Sequence, residues 1–203
     1  MAPPVQVVAF TDRASTRVTY RPGTTDLAGG VGGICISMVL MWLRKSLETG
    51  GQVTAQHLRD GLHVATLREG AYLRNARADR RARAAGLPLF GAIRDLFASY
   101  GLVMHERHKE DNALHSFFYP VMEMSLAPGH YAFWMTRPGY SGHAMGLVLD
   151  EDGPCFWFEP NGGVYRWNDL NELLDWLPDK LDTFSFSAGY RGGAYHFARV
   201  TLG

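Results

Sequence analysis

Gly32-Gly33-Ile34-Cys35-Ile36-Ser37-Met38-Val39-Leu40-Met41-Trp42-Leu43 is a glycine-rich approach that runs straight into a strongly apolar segment. Apolar residues at Ile34, Met38, Met41, Trp42 and Leu43, followed by Lys45 and Glu48 ahead of Gly50-Gly51, predict a buried helix. It starts near Ile34 and becomes solvated before its glycine stop. Cys35 therefore falls in the first turn. A thiol there feels the positive end of the helix macrodipole, which favours the thiolate and hence the nucleophilic form. Such a thiol still needs a base.

Upstream of that helix, Val5 to Phe10 and Thr16 to Tyr20 read as short β-branched strands, and residues 22–33 form a glycine-rich approach. Downstream, Thr54 caps a short helix to Leu62, followed by a longer one from His63 to about Ala85 with a soft interruption at Gly70. Residues 87–102 form a third helical stretch with Phe90, Ile93, Leu96, Phe97 and Tyr100 on one side. After Gly101 the pattern turns extended. Leu102 to Arg107, Tyr131 to Thr136, His143 to Leu149 and Cys155 to Phe158 read as strands, whereas residues 112–124, divided by Pro120, fit either class. Turns at residues 138–142 and 151–153 link the last three strands as an antiparallel meander. Asn168 caps a final helix to about Leu177, and Tyr195 to Leu202 closes the sheet.

The predicted fold class is therefore α+β. A mainly helical half, about residues 1–101, packs its cysteine-bearing helix against an antiparallel half, about residues 102–203, within one domain. A length of 203 residues fits one substantial core. Zero formal charge gives no global field for nucleic acid, and 46% hydrophobic with 12% aromatic residues argues against disorder. Two cysteines are too few for a disulfide-built scaffold, so a reducing compartment is expected. The N-terminus has no ordinary export signal, and no apolar run approaches bilayer length.

The base is found at His143, which follows Gly142 and opens a strand that would hold its ring on a rigid element. Neutral imidazole takes a thiol proton, and imidazolium returns one to a leaving amine near neutral pH. Glu159 lies 16 residues on, an acid ending the very apolar Phe156-Trp157-Phe158 before a turn. Pairing of the two strands across residues 151–153 would set His143 and Glu159 opposite each other at one end of the sheet. The carboxylate would orient the imidazole and stabilise its charged form. A helical half with the thiol and an antiparallel half with the histidine is the layout of papain-like thiol enzymes.

Three blocks resemble the YopT/AvrPphB-type cysteine proteases. These are Gly33-Ile34-Cys35 with Trp42-Leu43, Gly142-His143-Ala144, and Phe158-Glu159-Pro160-Asn161-Gly162. The resemblance implies a papain-like fold, a thiol protease acting on a protein substrate through an acyl-enzyme, and a bacterial effector or toxin delivered into the cytoplasm of a host or target cell. It places the nucleophile at Cys35, the base at His143 and the orienting acid at Glu159. Glu159 stands where that family's segment has Asp, with Asn161 as the alternative orienter. Residues 14–34 hold no Asn or Gln to donate to an oxyanion, so the Cys35 N–H would act with another donor, such as an amide among residues 29–33. The same triad also serves transglutaminase, deamidase or acyltransferase chemistry, and an inert relative would be a binding module.

No cofactor or metal is expected. His105, Glu106, His108 and His115 lie on or beside a strand, where residues i and i+3 face opposite ways. Residues 29–33 carry Cys35 where a dinucleotide fingerprint needs its last glycine, and Tyr140-Ser141-Gly142 lacks the spacing of a serine elbow. Cys155 reads as packing. Arg74, Arg77 and Arg81 share one helix face, a solvated surface or one suited to an acidic protein or anionic membrane, with no interleaved aromatics for nucleic acid.

Overall fold

The computed structural model describes residues 5–9, 35–50, 55–84, 91–111, 127–136, 143–151, 153–160, 163–173 and 194–203. Helix α1 (Cys35–Thr49) begins at the cysteine, and every residue from Ile36 to Leu43 is buried. A helix apolar around its whole circumference belongs inside a core, and α1 lies there, against β-strands on one side and a second helix on the other. Its last turn is solvated. There Glu48 accepts from Arg44 Nε and Lys45 Nζ, both at 2.7 Å, and Gly50 at φ 61° turns the chain away.

Helix α2 (Ala55–Ala84) is one continuous helix of 30 residues, where the sequence predicts a short helix to Leu62 and a longer one from His63. The reason is tertiary. A Cβ on Gly61 would collide with Met41 Sδ, so this glycine admits α1 at close range and does not interrupt the helix. Helix α3 (Ala92–Ser99) is shorter than the sequence reading of residues 87–102. Gly91, at φ 75°, precedes it, and its exit is sealed by Tyr100 N–H to Phe97 O at 2.9 Å and Gly101 N–H to Ala98 O at 2.8 Å. Tyr100 joins the three helices. Arg44 Nη1 donates to its carbonyl at 2.6 Å, and the Arg68 guanidinium lies 4.2 Å above its ring.

Seven described strands form one antiparallel sheet. They are β1 (Val5–Ala9), β2 (Leu102–Asp111), β3 (Gly129–Thr136), β4 (His143–Leu149), β5 (Cys155–Glu159), β6 (Gly163–Trp167) and β7 (Ala194–Leu202), in the order β1-β6-β5-β4-β3-β7-β2. The expected meander is β3-β4-β5. Strand β6 lengthens it, and β7 enters between β3 and β2. Alternation divides the sheet's residues between two cores. Ala132, Trp134, Ala144, Phe158 and Ala198 face the helices, while Phe133, Met145, Cys155, Trp157 and Phe197 form a cluster on the other side. At residues 170–173 a helical turn is capped by Asp169, whose Oδ1 accepts from Glu172 N–H at 3.0 Å. Asn168, the expected cap, instead donates its N–H to Glu172 Oε2 at 3.0 Å. The expected strand at Thr16 to Tyr20 and the ambiguous residues 112–124 lie outside the described residues.

Candidate active site

Cys35 opens α1, His143 opens β4 and Glu159 ends β5. In the β4–β5 ladder Gly146 pairs with Phe158 and Leu147 with Trp157, so Glu159 falls one step further, beside Met145. His143 lies two residues beyond Met145 on the same face. The pair is thus diagonal, whereas the sequence reading set it directly opposite. A long acid spans such an offset, and His143 Nε2 meets Glu159 Oε2 at 2.9 Å.

Both partners are removed from water, His143 at 5% and Glu159 at 1% exposure, so the contact is a buried one with little screening. A carboxylate oxygen can only accept, so Nε2 carries the proton and donates it. Burial is the largest influence on the ring and opposes its charged form. Against it act the charge of Cys35, the charge of Glu159 and a side-chain hydrogen bond from each. Together they raise His143 from 6.5 to about 10. The ring therefore interacts with sulfur and carboxylate at once, which brings all three sequence-predicted residues together. Cys35 is partly exposed, as access for a reactant requires.

Two neighbours escaped the sequence reading. Gly163 pairs across the ladder with Glu159 at φ 129°, a conformation that favours glycine. Tyr165 is pushed up by burial and, after that, by the negative charge of Glu159, which sets its phenol in the field of the same carboxylate. Gly163 had a turn signal in Asn161-Gly162-Gly163, but nothing local told which acid it would face. Asn161 lies outside the described residues.

Other candidates fall away from this cluster. Cys155 is fully buried on the face of the sheet that carries Trp157 and Trp167, where burial raises its thiol. His105 Nε2 contacts Thr201 Oγ1 at 2.9 Å on the exposed β2–β7 ladder. Among the described residues, no group of three or more His, Cys, Asp or Glu is arranged to hold a metal ion, and no helix is long and apolar enough to cross a membrane. Arg74 and Arg81 are exposed on α2, while the side chain of Arg77 lies outside the described residues.

No protein-family model matches the chain, and neither does any curated protein. Among solved structures, the fold is similar to the crystal structure of the Pseudomonas avirulence protein AvrPphB, with a TM-score of 0.59 over 91% of this chain and 99% of that one. At 18% identity the likeness is one of fold: helices and an antiparallel sheet in the same α+β arrangement.

Proposed function

We propose that the chain is a papain-like thiol protease, residues 1–203 acting as one catalytic domain, with Cys35 as nucleophile, His143 as proton carrier and Glu159 as its orienting acid. The observation that carries this reading is the buried His143–Glu159 contact at 2.9 Å, on a ring that also interacts with Cys35. Because Nε2 donates to Glu159, Nδ1 is the nitrogen left to take the thiol proton. The resulting thiolate attacks the scissile carbonyl, and the sulfur–carbon bond forms as the carbonyl electrons move onto oxygen. The Cys35 N–H, a first-turn donor that helix geometry gives no intrahelical partner, contributes to stabilising that oxyanion. Collapse of the tetrahedral intermediate expels the amine, which takes its proton from Nδ1. Water, deprotonated by the same nitrogen, then releases the acyl group and restores the thiol.

The motif resemblance and the fold likeness to AvrPphB support a protein substrate and an effector that works in the cytoplasm of a host or target cell. On the exposed face of α2, Arg74 and Arg81 would favour an acidic protein partner over a membrane, because no aromatic anchor accompanies them among that face's described residues. Replacing Cys35 with Ala should abolish turnover and leave the fold intact. Wild-type cleavage by Cys35→Ala would overturn the mechanism. Intact-mass analysis of a treated protein substrate separates the acyl acceptors: two fragments mean hydrolysis of a peptide bond, and a gain of about one dalton means deamidation.

A further inference from the structure

The site joins two bodies, since His143 and Glu159 belong to the sheet whereas the sulfur belongs to α1. What sets the distance between those bodies is the seat of α1 on β4, and this seat has a narrow point. Ala198, Ala132 and Gly146 lie side by side across β7, β3 and β4, and Phe158 follows on β5. Three small residues and one large one make a trough with a wall. Trp42 lies in it, 2% exposed, its ring centroid 5.3 Å from that of Phe158. A Cβ built on Gly146 would stand 2.7 Å from two atoms of the Trp42 ring and 3.4 Å from a Val39 methyl. The strand cannot yield, because β4 is held between β3 and β5 at Gly146 itself. An indole wedged against Phe158 is no flexible tip either.

We propose that Gly146 is a positioning residue for the Cys35–His143 encounter: its missing Cβ sets how closely α1 approaches β4, and so whether the sulfur reaches the imidazole. The proposal rests on the catalytic reading above. A glycine inside a strand ordinarily weakens it, and a close approach by another element is the compensating reason for one. Gly146→Ala must lift the Trp42 ring, and with it α1, while His143 and Glu159 stay paired within the sheet. Misplacement of reacting groups by about 1 Å costs about 10²-fold.

The test measures alkylation of Cys35 by iodoacetamide at pH 6, alongside the imidazole NMR signals of His143. Gly146→Ala should slow alkylation by roughly 10- to 100-fold and retain the His143–Glu159 proton signal. Adding Trp42→Phe should bring the rate back to within about 3-fold of Trp42→Phe alone, as expected where two residues share one contact. If Gly146→Ala does not fold by itself, the double variant carries the test against Trp42→Phe alone. Wild-type alkylation in Gly146→Ala, or a double variant much slower than Trp42→Phe, would overturn the proposal. A wild-type Cys35 no faster than glutathione would instead overturn the catalytic reading, which keeps the two failures apart.

Discussion

The two contacts that make up the site differ in what holds them. His143 and Glu159 are brought together by backbone: β4 and β5 are hydrogen-bonded neighbours, and the register that pairs Gly146 with Phe158 brings both side chains to one face. Cys35 and His143 are brought together by side chains, because α1 meets the sheet through residues such as Val39, Trp42 and Ser46 and not through a backbone ladder. A ladder tolerates side-chain changes that a packed seat does not. The sheet-borne pair should therefore survive perturbations that disconnect the sulfur, and the converse should not occur.

The sharpest way to break that asymmetry is at the acid. Glu159→Gln keeps the shape of the pair but lets the amide present a donor to Nε2, so turnover should fall by about 10²-fold or more. Glu159→Asp keeps the charge and shortens the reach across a diagonal offset. An intermediate loss of about 10-fold is expected, measured as kcat/KM. Equal activity in all three proteins would mean that the carboxylate does not orient the ring.

Next in size is the titration of His143. Its imidazolium should persist to about pH 10 in the wild type, and its pKa should drop when either Cys35 or Glu159 is neutralised, each change read by NMR in Cys35→Ala and Glu159→Gln. Because the folded value lies above the unfolded 6.5, the stability this group contributes is complete below pH 6.5 and is lost as pH rises through about 10. A melting temperature that rises with pH over that window, after the other titrating groups are allowed for, would contradict the assignment.

A smaller effect is expected at the other end of α1. Ser46 Oγ lies 3.0 Å from His130 Nε2 on β3, and burial lowers that histidine to about 4. Ser46→Ala leaves a buried ring nitrogen without this partner and should cost about 1–2 kcal/mol by denaturant unfolding. Cys35 alkylation should change by less than about 3-fold, since Trp42 still seats the helix nearer the thiol. Smallest of all should be the effect of Arg74→Glu with Arg81→Glu on peptide hydrolysis, about 2-fold or less. Binding of an acidic protein substrate should weaken in this variant and, in the wild type, weaken as salt rises. Salt-independent affinity would remove these arginines from recognition.

The legibility of the molecule follows the same division. Local chemistry announced α1 to within about a residue of its start, the span of β4 and the acid at the end of β5, because periodicity, glycine stops and turn residues act over a few positions. The acid's diagonal setting was not legible, since it depends on the residue count of a ladder. Strand β6, Gly163–Trp167, escaped because it is short, holds Arg166 and starts at the second glycine of the Gly162-Gly163 turn signal. Its partner β1 comes from the opposite end of the chain, and such a pairing leaves no local mark. Gly61 lies inside α2, and Met41 supplies the reason for it. Gly146 is the same case within a strand. In both, a glycine that is unfavourable locally is explained by what presses against it.

The most direct measurement is the pH dependence of Cys35 alkylation in the wild type and in His143→Ala, with the modified residue located by mass spectrometry. At pH 6 an ordinary thiol of pKa about 8.5 is almost wholly protonated and reacts slowly. The wild type should react at Cys35 at least about 10-fold faster than glutathione, and His143→Ala should lose that advantage. Equal rates for the protein and glutathione, or a rate unaffected by removal of His143, would contradict a sulfur paired with that imidazole.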